Sequence, residues 1–156
     1  MESHQRRVTG HWFPRFAALV GGLIFTGFGL WAMLAPQSFF DSVAVFDPYN
    51  QHFVQDIGAF QIGLGVVLLL AWLSGGGDAI AVALLGVGIG SVAHAVSHIV
   101  GSDLGGTPGV DIPTFLVIGV VLLVGGVIRW RETLAAVRSE GSSQGAAPRH
   151  SRVGGR

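Results

Sequence analysis

The sequence contains no cysteine and no lysine, and it has few charged residues of any kind. The absence of cysteine excludes disulfide bonds, thiolate metal sites and a cysteine nucleophile. Only 12% of the 156 residues are charged, about half of the roughly 25% found in a soluble domain. This scarcity indicates a membrane protein, and the 25 glycines agree because glycine is frequent in membrane helices.

Four apolar segments, separated by turn-forming sequence, are long enough to cross the roughly 30 Å hydrocarbon core of a bilayer. They cover residues 16–35, 52–73, 79–100 and 112–130. Pro36 ends the first segment, and a short glycine-rich turn makes the second and third segments antiparallel neighbours. The first segment is longer than the apolar run of a signal peptide, so we interpret it as a retained helix. The sequence therefore predicts an all-α four-helix transmembrane bundle over residues 16–130.

Arginine lies only towards the two ends of the chain. Three arginines precede residue 16 and six follow from Arg129 onward, whereas loops 36–51 and 101–111 contain aspartate and no arginine. The positive-inside rule then places both termini in the cytoplasm, an N-in/C-in topology, and we expect a bacterial plasma membrane. The tryptophans agree with this orientation, because Trp12, Trp72 and Trp130 would all lie at the cytoplasmic interface.

The ends of the chain are then cytoplasmic. Residues 1–15 form a basic N-terminal segment, and residues 131–156 form a tail rich in Arg, Ser and Gly that we expect to be largely disordered. The tail arginines are interpreted as an orientation signal, so the lipid bilayer is expected as a partner and nucleic acid is not.

Two stretches place ionisable residues at helical spacing inside the apolar segments. His94 and His98 lie four residues apart near the end of the third segment, and His52 and Asp56 near the start of the second. Residues four apart share one helix face. Ionisable groups at membrane depth are costly, which makes them functional candidates. Because the second segment starts where the third ends, all four residues should share one shallow outer layer.

Small residues continue each of these faces towards the membrane centre. Gly90 and Gly86 follow the histidines, while Ala59 and Gly63 follow Asp56. Small residues at four-residue spacing allow helices to approach closely in a membrane. We therefore predict that the two stripes face each other or the bundle interior, which would bring the four polar residues together.

The first functional hypothesis is a metal-binding or redox-linked site. His94 and His98 would be the core ligands, with Asp56 as the neighbouring carboxylate and His52 as a fourth ligand. Two histidines at this spacing can bind one ion from one helix face, and a His/Asp set suits zinc or iron. Haem is a less favoured variant, because two histidines on one helical turn cannot be opposite axial ligands.

Two alternatives remain open. In the first, the protein is a non-enzymatic structural or accessory subunit whose His/Asp cluster is an interhelical clasp, and exposed glycine faces bind a second copy or a partner membrane subunit. In the second, it is a pH sensor, because histidine titrates near neutrality. A proton pump is disfavoured, since Gln61 and Thr26 are the only buried polar groups expected in the cytoplasmic half. Gln61 lies on a different face from Asp56 and is assigned to another helix contact.

The sequence shows no nucleophile elbow, and a non-enzymatic protein is favoured over an enzyme.

The layout of residues 12–135 combines four short spans with glycine-rich helices. In span number, span length and glycine content it resembles the small four-helix bacterial membrane proteins of the DoxX-like kind. The resemblance implies the same membrane fold, and it carries no functional residue over to this chain.

Overall fold

A computed structural model describes residues 12–74 and 76–145. This part of the chain is helical without strands, and four of its helices are long and apolar enough to span a membrane. These helices are α1 (Trp12–Leu34), α3 (Gln51–Ser74), α4 (Gly77–Val100) and α5 (Pro108–Gly145), with a short α2 (Pro36–Phe39) that continues into a π-helical turn (Phe40–Ala44). The predicted all-α chain with four long apolar helices is confirmed, while the N-in/C-in orientation stays a prediction.

The first predicted loop is helical in its first half. Ala35 leaves the helical conformation with φ −138° and ψ 61°, and Pro36 then takes the first position of α2, where its missing N–H costs nothing. Phe39 and Phe40 are buried against Val54 of α3. The segment therefore folds back onto α3 because its aromatic residues bury apolar surface there.

Helix α5 continues to Gly145, which differs from the largely disordered tail predicted from residue 131. Arg129 Nη1 donates a hydrogen bond to Glu132 Oε2 at 2.8 Å, and both side chains are mostly buried. An ion pair at this spacing supports a helix, and the alanines and leucine that follow are good helix formers. The predicted regions 1–11 and 146–156 lie outside the described residues.

Helix α1 packs along α3, and glycines make this contact close. A Cβ atom on Gly29 would lie 2.7 Å from the carbonyl oxygen of Gly58, and one on Gly22 would lie 3.1 Å from that of Gly65. At the far end of the pair, Arg15 Nη2 donates to the carbonyl oxygen of Trp72 at 3.3 Å. The two backbones thus meet directly, as small residues permit in membrane helices.

Helix α4 packs along α5 in the same manner, whereas α3 and α4 touch sparsely. A Cβ atom on Gly88 would lie 3.0 Å from the backbone nitrogen of Leu123, and one on Gly119 would lie 3.2 Å from that of Val92. The bundle therefore consists of two tight helix pairs. We call the end of the bundle that holds segments 35–50 and 101–107 the loop end.

Apolar residues fill the centre of the bundle and also cover its outside. One buried cluster joins all four long helices and consists of Ala17, Ala18, Phe25, Leu68, Ala71, Ile80, Ala83, Leu84, Val87 and Leu122. Large side chains exposed on the outside include Leu23, Phe60, Leu70, Val82, Ile89 and Val117. An apolar surface of this extent is unfavourable in water, so the four helices fit a small integral membrane protein.

The two small-residue stripes are not packed against a neighbouring helix. A Cβ atom on Gly63, Gly86 or Gly90 would meet nothing within 4 Å, and Ala59 is exposed. The predicted close contact between the stripes is therefore wrong. The physical reason is that other glycines make the helix contacts, so α3 and α4 diverge and leave an open apolar groove of about 540 Å³ between them.

Candidate functional site at the loop end of α4 and α5

The last turns of α4 present two histidines on one face. His94 and His98 lie one helical turn apart, and their Nε2 atoms are 3.0 Å apart. Their rings are nearly parallel, with an angle of 10° between the planes and 4.9 Å between the centroids. The two imidazoles form a hydrogen bond when only one of the two Nε2 atoms carries a hydrogen, which it donates to the other.

The first turn of α5 holds a fixed carboxylate. Asp111 accepts two hydrogen bonds from Thr107: the backbone N–H donates to Oδ2 at 2.7 Å and the hydroxyl donates to Oδ1 at 3.0 Å. Thr107 precedes Pro108, the first residue of the helix. The carboxylate therefore accepts a hydrogen bond from a backbone N–H that the start of the helix would otherwise leave unpaired. The positive end of the helix dipole also favours a negative charge here.

The carboxylate and the histidines meet across the α4–α5 contact. Asp111 Oδ2 lies 3.6 Å from His98 Nδ1, and the two side chains are 13% and 26% exposed. Phe115, one turn further along α5, stacks on His94 with 4.0 Å between ring centroids and on His98 with 5.4 Å. We call His94, His98, Asp111 and Phe115 the loop-end cluster. It joins two residues of α4 to two of α5, each pair at helical spacing.

The neighbouring loop fixes the position of the cluster. The N–H of Gly106 donates to the carbonyl oxygen of Val45 at 2.8 Å, which ties the α4–α5 loop to the π-helical turn. Gly106 has a φ of +79°, and a Cβ atom there would lie 3.2 Å from Asp111 Oδ2. Glycine is therefore needed both for the backbone conformation and for the space beside the carboxylate.

The residues predicted to form one site are divided between two places. His52 and Asp56 contact each other on α3, with 3.5 Å between Nε2 and Oδ2, and their side chains are 87% and 54% exposed. Over residues 12–74 and 76–145, no group of three or more His, Asp or Glu side chains is arranged to hold a metal ion. Metal ligation by His94, His98, Asp56 and His52 therefore stays a prediction.

Asp111 is the member of the cluster that sequence reasoning missed. It was treated as one of several aspartates in the loops rather than as a partner of the histidines. By depth, Asp111 is as close to His94 and His98 as Asp56 is, because α4 ends and α5 begins at the same end of the bundle. The connection between α4 and α5 is also short, which favours contact between them.

No protein family, curated protein or solved structure significantly matches this chain. The likeness to DoxX-like proteins is therefore one of layout.

Proposed function

We propose that this protein is a non-enzymatic structural or accessory membrane protein whose loop-end cluster clasps α4 to α5. The observation that carries the proposal is the approach of His98 to Asp111 across the helix contact, 3.6 Å between Nδ1 and Oδ2, with the carboxylate held by Thr107. In the proposed topology the loop end faces the outside of a bacterial plasma membrane, and both termini lie in the cytoplasm.

The stabilisation expected from the clasp depends on how buried the His98–Asp111 contact is. Polar contacts between membrane helices contribute about 0.6–2 kcal/mol. The His98–Asp111 contact is mostly but not fully buried, and solvent screening weakens such pairs, so we expect the lower half of that range. The clasp therefore stabilises the loop end without determining the fold, which the glycine and aliphatic contacts hold together.

Thermal unfolding of the purified protein in detergent tests the clasp. His98→Gln and Asp111→Asn should each lower the melting temperature by about 2–4 °C, as a loss near 1 kcal/mol does in a protein of this size. His52→Gln is the matched control, because it removes a histidine–aspartate contact of the same type that is exposed on α3. Equal melting temperatures for all three variants and the wild type would contradict the clasp.

A second candidate function is metal binding, and the separation of the two histidine nitrogens favours it. Two nitrogens that bind one zinc ion at about 2.0–2.1 Å with tetrahedral geometry lie roughly 3.4 Å apart, close to the 3.0 Å between the Nε2 atoms of His94 and His98. Asp111 beside His98 Nδ1 resembles the carboxylates that orient metal-bound histidines. Zinc or iron would suit these ligands, and His52 with Asp56 or a second copy would have to supply the remaining ligands. Haem is less suited, because two histidines on one helical turn cannot be its opposite axial ligands.

Elemental analysis and visible absorption of the detergent-purified protein test metal and haem binding. If the second candidate is correct, the wild type holds stoichiometric metal, and a His94→Ala/His98→Ala variant loses it. A His52→Ala/Asp56→Ala variant shows whether the α3 pair takes part. Absence of metal and haem from the wild type after growth and purification without chelators would contradict this candidate and leave the clasp unaffected.

A further inference from the structure

A cavity of about 440 Å³ lies between α1, the α2–π-turn segment, α3 and α5. Four phenylalanines from three different segments line it, namely Phe25, Phe28, Phe39 and Phe115. Cavities of roughly 300–1,000 Å³ with mostly apolar walls and a few polar groups are the usual sites of small-molecule ligands. The aromatic lining suits a ligand with an aromatic ring, because ring pairs interact favourably in edge-on and offset geometries.

The polar groups of the cavity lie at different depths. Asp111 and Thr114 lie near its loop end, and Gln61 of α3 lies further in, about 15 Å along the helix axis from Gln51. Within the described part of the chain, the side chain of Gln61, which lines the cavity, makes no hydrogen bond. An amide without a partner is unfavourable at membrane depth, so a ligand that pairs with Gln61 would be stabilised there.

The loop-end cluster separates this cavity from a second concavity. His98 lines an open groove of about 380 Å³ formed with the α4–α5 loop, whereas Asp111 lines the cavity. The contact between these two residues therefore lies between the cavity and the groove.

We propose that this cavity binds a lipophilic aromatic molecule that carries an O–H or N–H donor. The phenylalanines contact the ring, and the amide oxygen of Gln61 accepts a hydrogen bond from the donor group. This inference goes beyond the clasp and does not depend on it, since Gln61 and the phenylalanines other than Phe115 take no part in the loop-end cluster.

Photoaffinity labelling with a trifluoromethyl-diazirinyl benzyl alcohol tests the proposal, because this probe combines an aromatic ring with a hydroxyl donor. The full chain in lipid nanodiscs is labelled over a range of probe concentrations, with excess benzyl alcohol as competitor, and labelled peptides are mapped by mass spectrometry. We expect saturable, competable labelling at residues 24–28 and 114–118. Labelling along the open α3–α4 groove should rise linearly with probe, as expected for a surface covered by lipid.

Two substitutions make the test specific. Gln61→Leu should lower the saturable labelling roughly fivefold, the loss expected for one hydrogen bond, and Ile118→Trp should abolish it by filling the cavity. Val82→Trp places the same side chain in the α3–α4 groove and should leave the labelling unchanged. Should Ile118→Trp fail to fold, Gln61→Leu still decides the outcome.

Linear labelling of the cavity peptides, or saturable labelling that Gln61→Leu leaves intact, would overturn the proposal in favour of a lipid-filled cavity. His98→Gln, which tests the clasp, should leave the labelling unchanged. The failure of one proposal is thus distinguishable from the failure of the other.

Discussion

At the residue scale, the polar side chains of the loop-end cluster form a chain of contacts. Thr107 donates twice to Asp111, and Asp111 lies beside one nitrogen of His98, whose other nitrogen faces His94. The neutral pair of imidazoles satisfies this chain with one hydrogen between the two Nε2 atoms. A second positive charge cannot be accommodated in the same way, because both Nε2 atoms would then be donors.

This arrangement predicts a pH dependence of stability. When both imidazoles are protonated, the His94–His98 hydrogen bond is replaced by repulsion between two N–H groups 3.0 Å apart, and Asp111 balances only one of the charges. We expect the melting temperature to fall as the pH is lowered and both imidazoles become protonated. In His94→Gln the single imidazolium faces Asp111 without a charged neighbour on α4, so the melting temperature should stay constant or rise.

Thermal unfolding between about pH 8 and pH 5 measures this dependence. His52→Gln is the control, because His52 and Asp56 form a second histidine–aspartate contact, exposed on α3, that must be separated from the cluster. A pH slope that is the same in the wild type and in His94→Gln would contradict the prediction. It would also remove the main argument for a pH-sensing role.

At the element scale, glycines fall into two sets that the sequence does not distinguish. Gly22, Gly29 and Gly88 lie where backbones meet, whereas Gly86 and Gly90 are open. Hydropathy and residue size are equal for both sets, so the sequence predicts that glycine mediates helix packing but not which glycines do so. The predicted stripes failed because the rotation of each helix depends on contacts with larger partners such as Leu123, which no local pattern reveals.

A pair of alanine substitutions on α4 tests this division. In Gly88→Ala the added Cβ would lie 2.9 Å from Leu123 Cγ, and overpacking of this kind costs about 1–3 kcal/mol. In Gly86→Ala it meets nothing within 4 Å, so stability should be unchanged or slightly higher because alanine favours the helix. Melting temperatures of the two variants in detergent decide the matter, and equal values would contradict the assigned α4–α5 packing.

The same comparison applies to the α1–α3 pair. Gly29→Ala would place a Cβ 2.7 Å from the Gly58 carbonyl oxygen and from the Ile62 nitrogen, whereas Gly27→Ala meets nothing within 4 Å. We expect the first substitution to destabilise the protein by an amount in the range given for Gly88→Ala and the second to be neutral. A neutral Gly29→Ala would show that α1 and α3 are not in direct backbone contact.

At the scale of the whole molecule, the described chain is two tight helix pairs with an open groove on one side and a lined cavity on another. The orientation of this assembly in the membrane is a prediction from the arginines, which the positive-inside rule would place in the cytoplasm. The absence of native cysteine makes the orientation directly measurable, because any introduced thiol is the only one in the protein.

Single-cysteine labelling in intact cells tests the orientation. Ser102→Cys lies in the exposed α4–α5 loop and should react with a membrane-impermeant maleimide without permeabilisation. Ala135→Cys is exposed beyond the apolar part of α5 and should react only after the membrane is permeabilised. The reverse pattern would invert the topology and place the loop-end cluster on the cytoplasmic side.

The sequence was sufficient for the spans and insufficient for the partners of the polar residues. Apolar segments mark the helix ends to within about four residues except at the end of α5, which lies 15 residues beyond residue 130. The small differences arise because helices begin before the apolar run, as α1 does at Trp12 and α5 at Pro108. His94 and His98 were found because ionisable residues are rare at that depth. Asp111 was not found, because the role of an aspartate in the first turn of a helix depends on which helix packs beside it.

The most direct test of the central claim is a double-mutant cycle on His98→Gln and Asp111→Asn, measured as free energies of unfolding in detergent. A clasp between α4 and α5 predicts a coupling energy of about 0.6–1.3 kcal/mol, while the equivalent cycle on His52 and Asp56 should give less. A coupling energy below about 0.3 kcal/mol, the usual error for independent sites, would show that the two residues act separately and that the clasp does not exist.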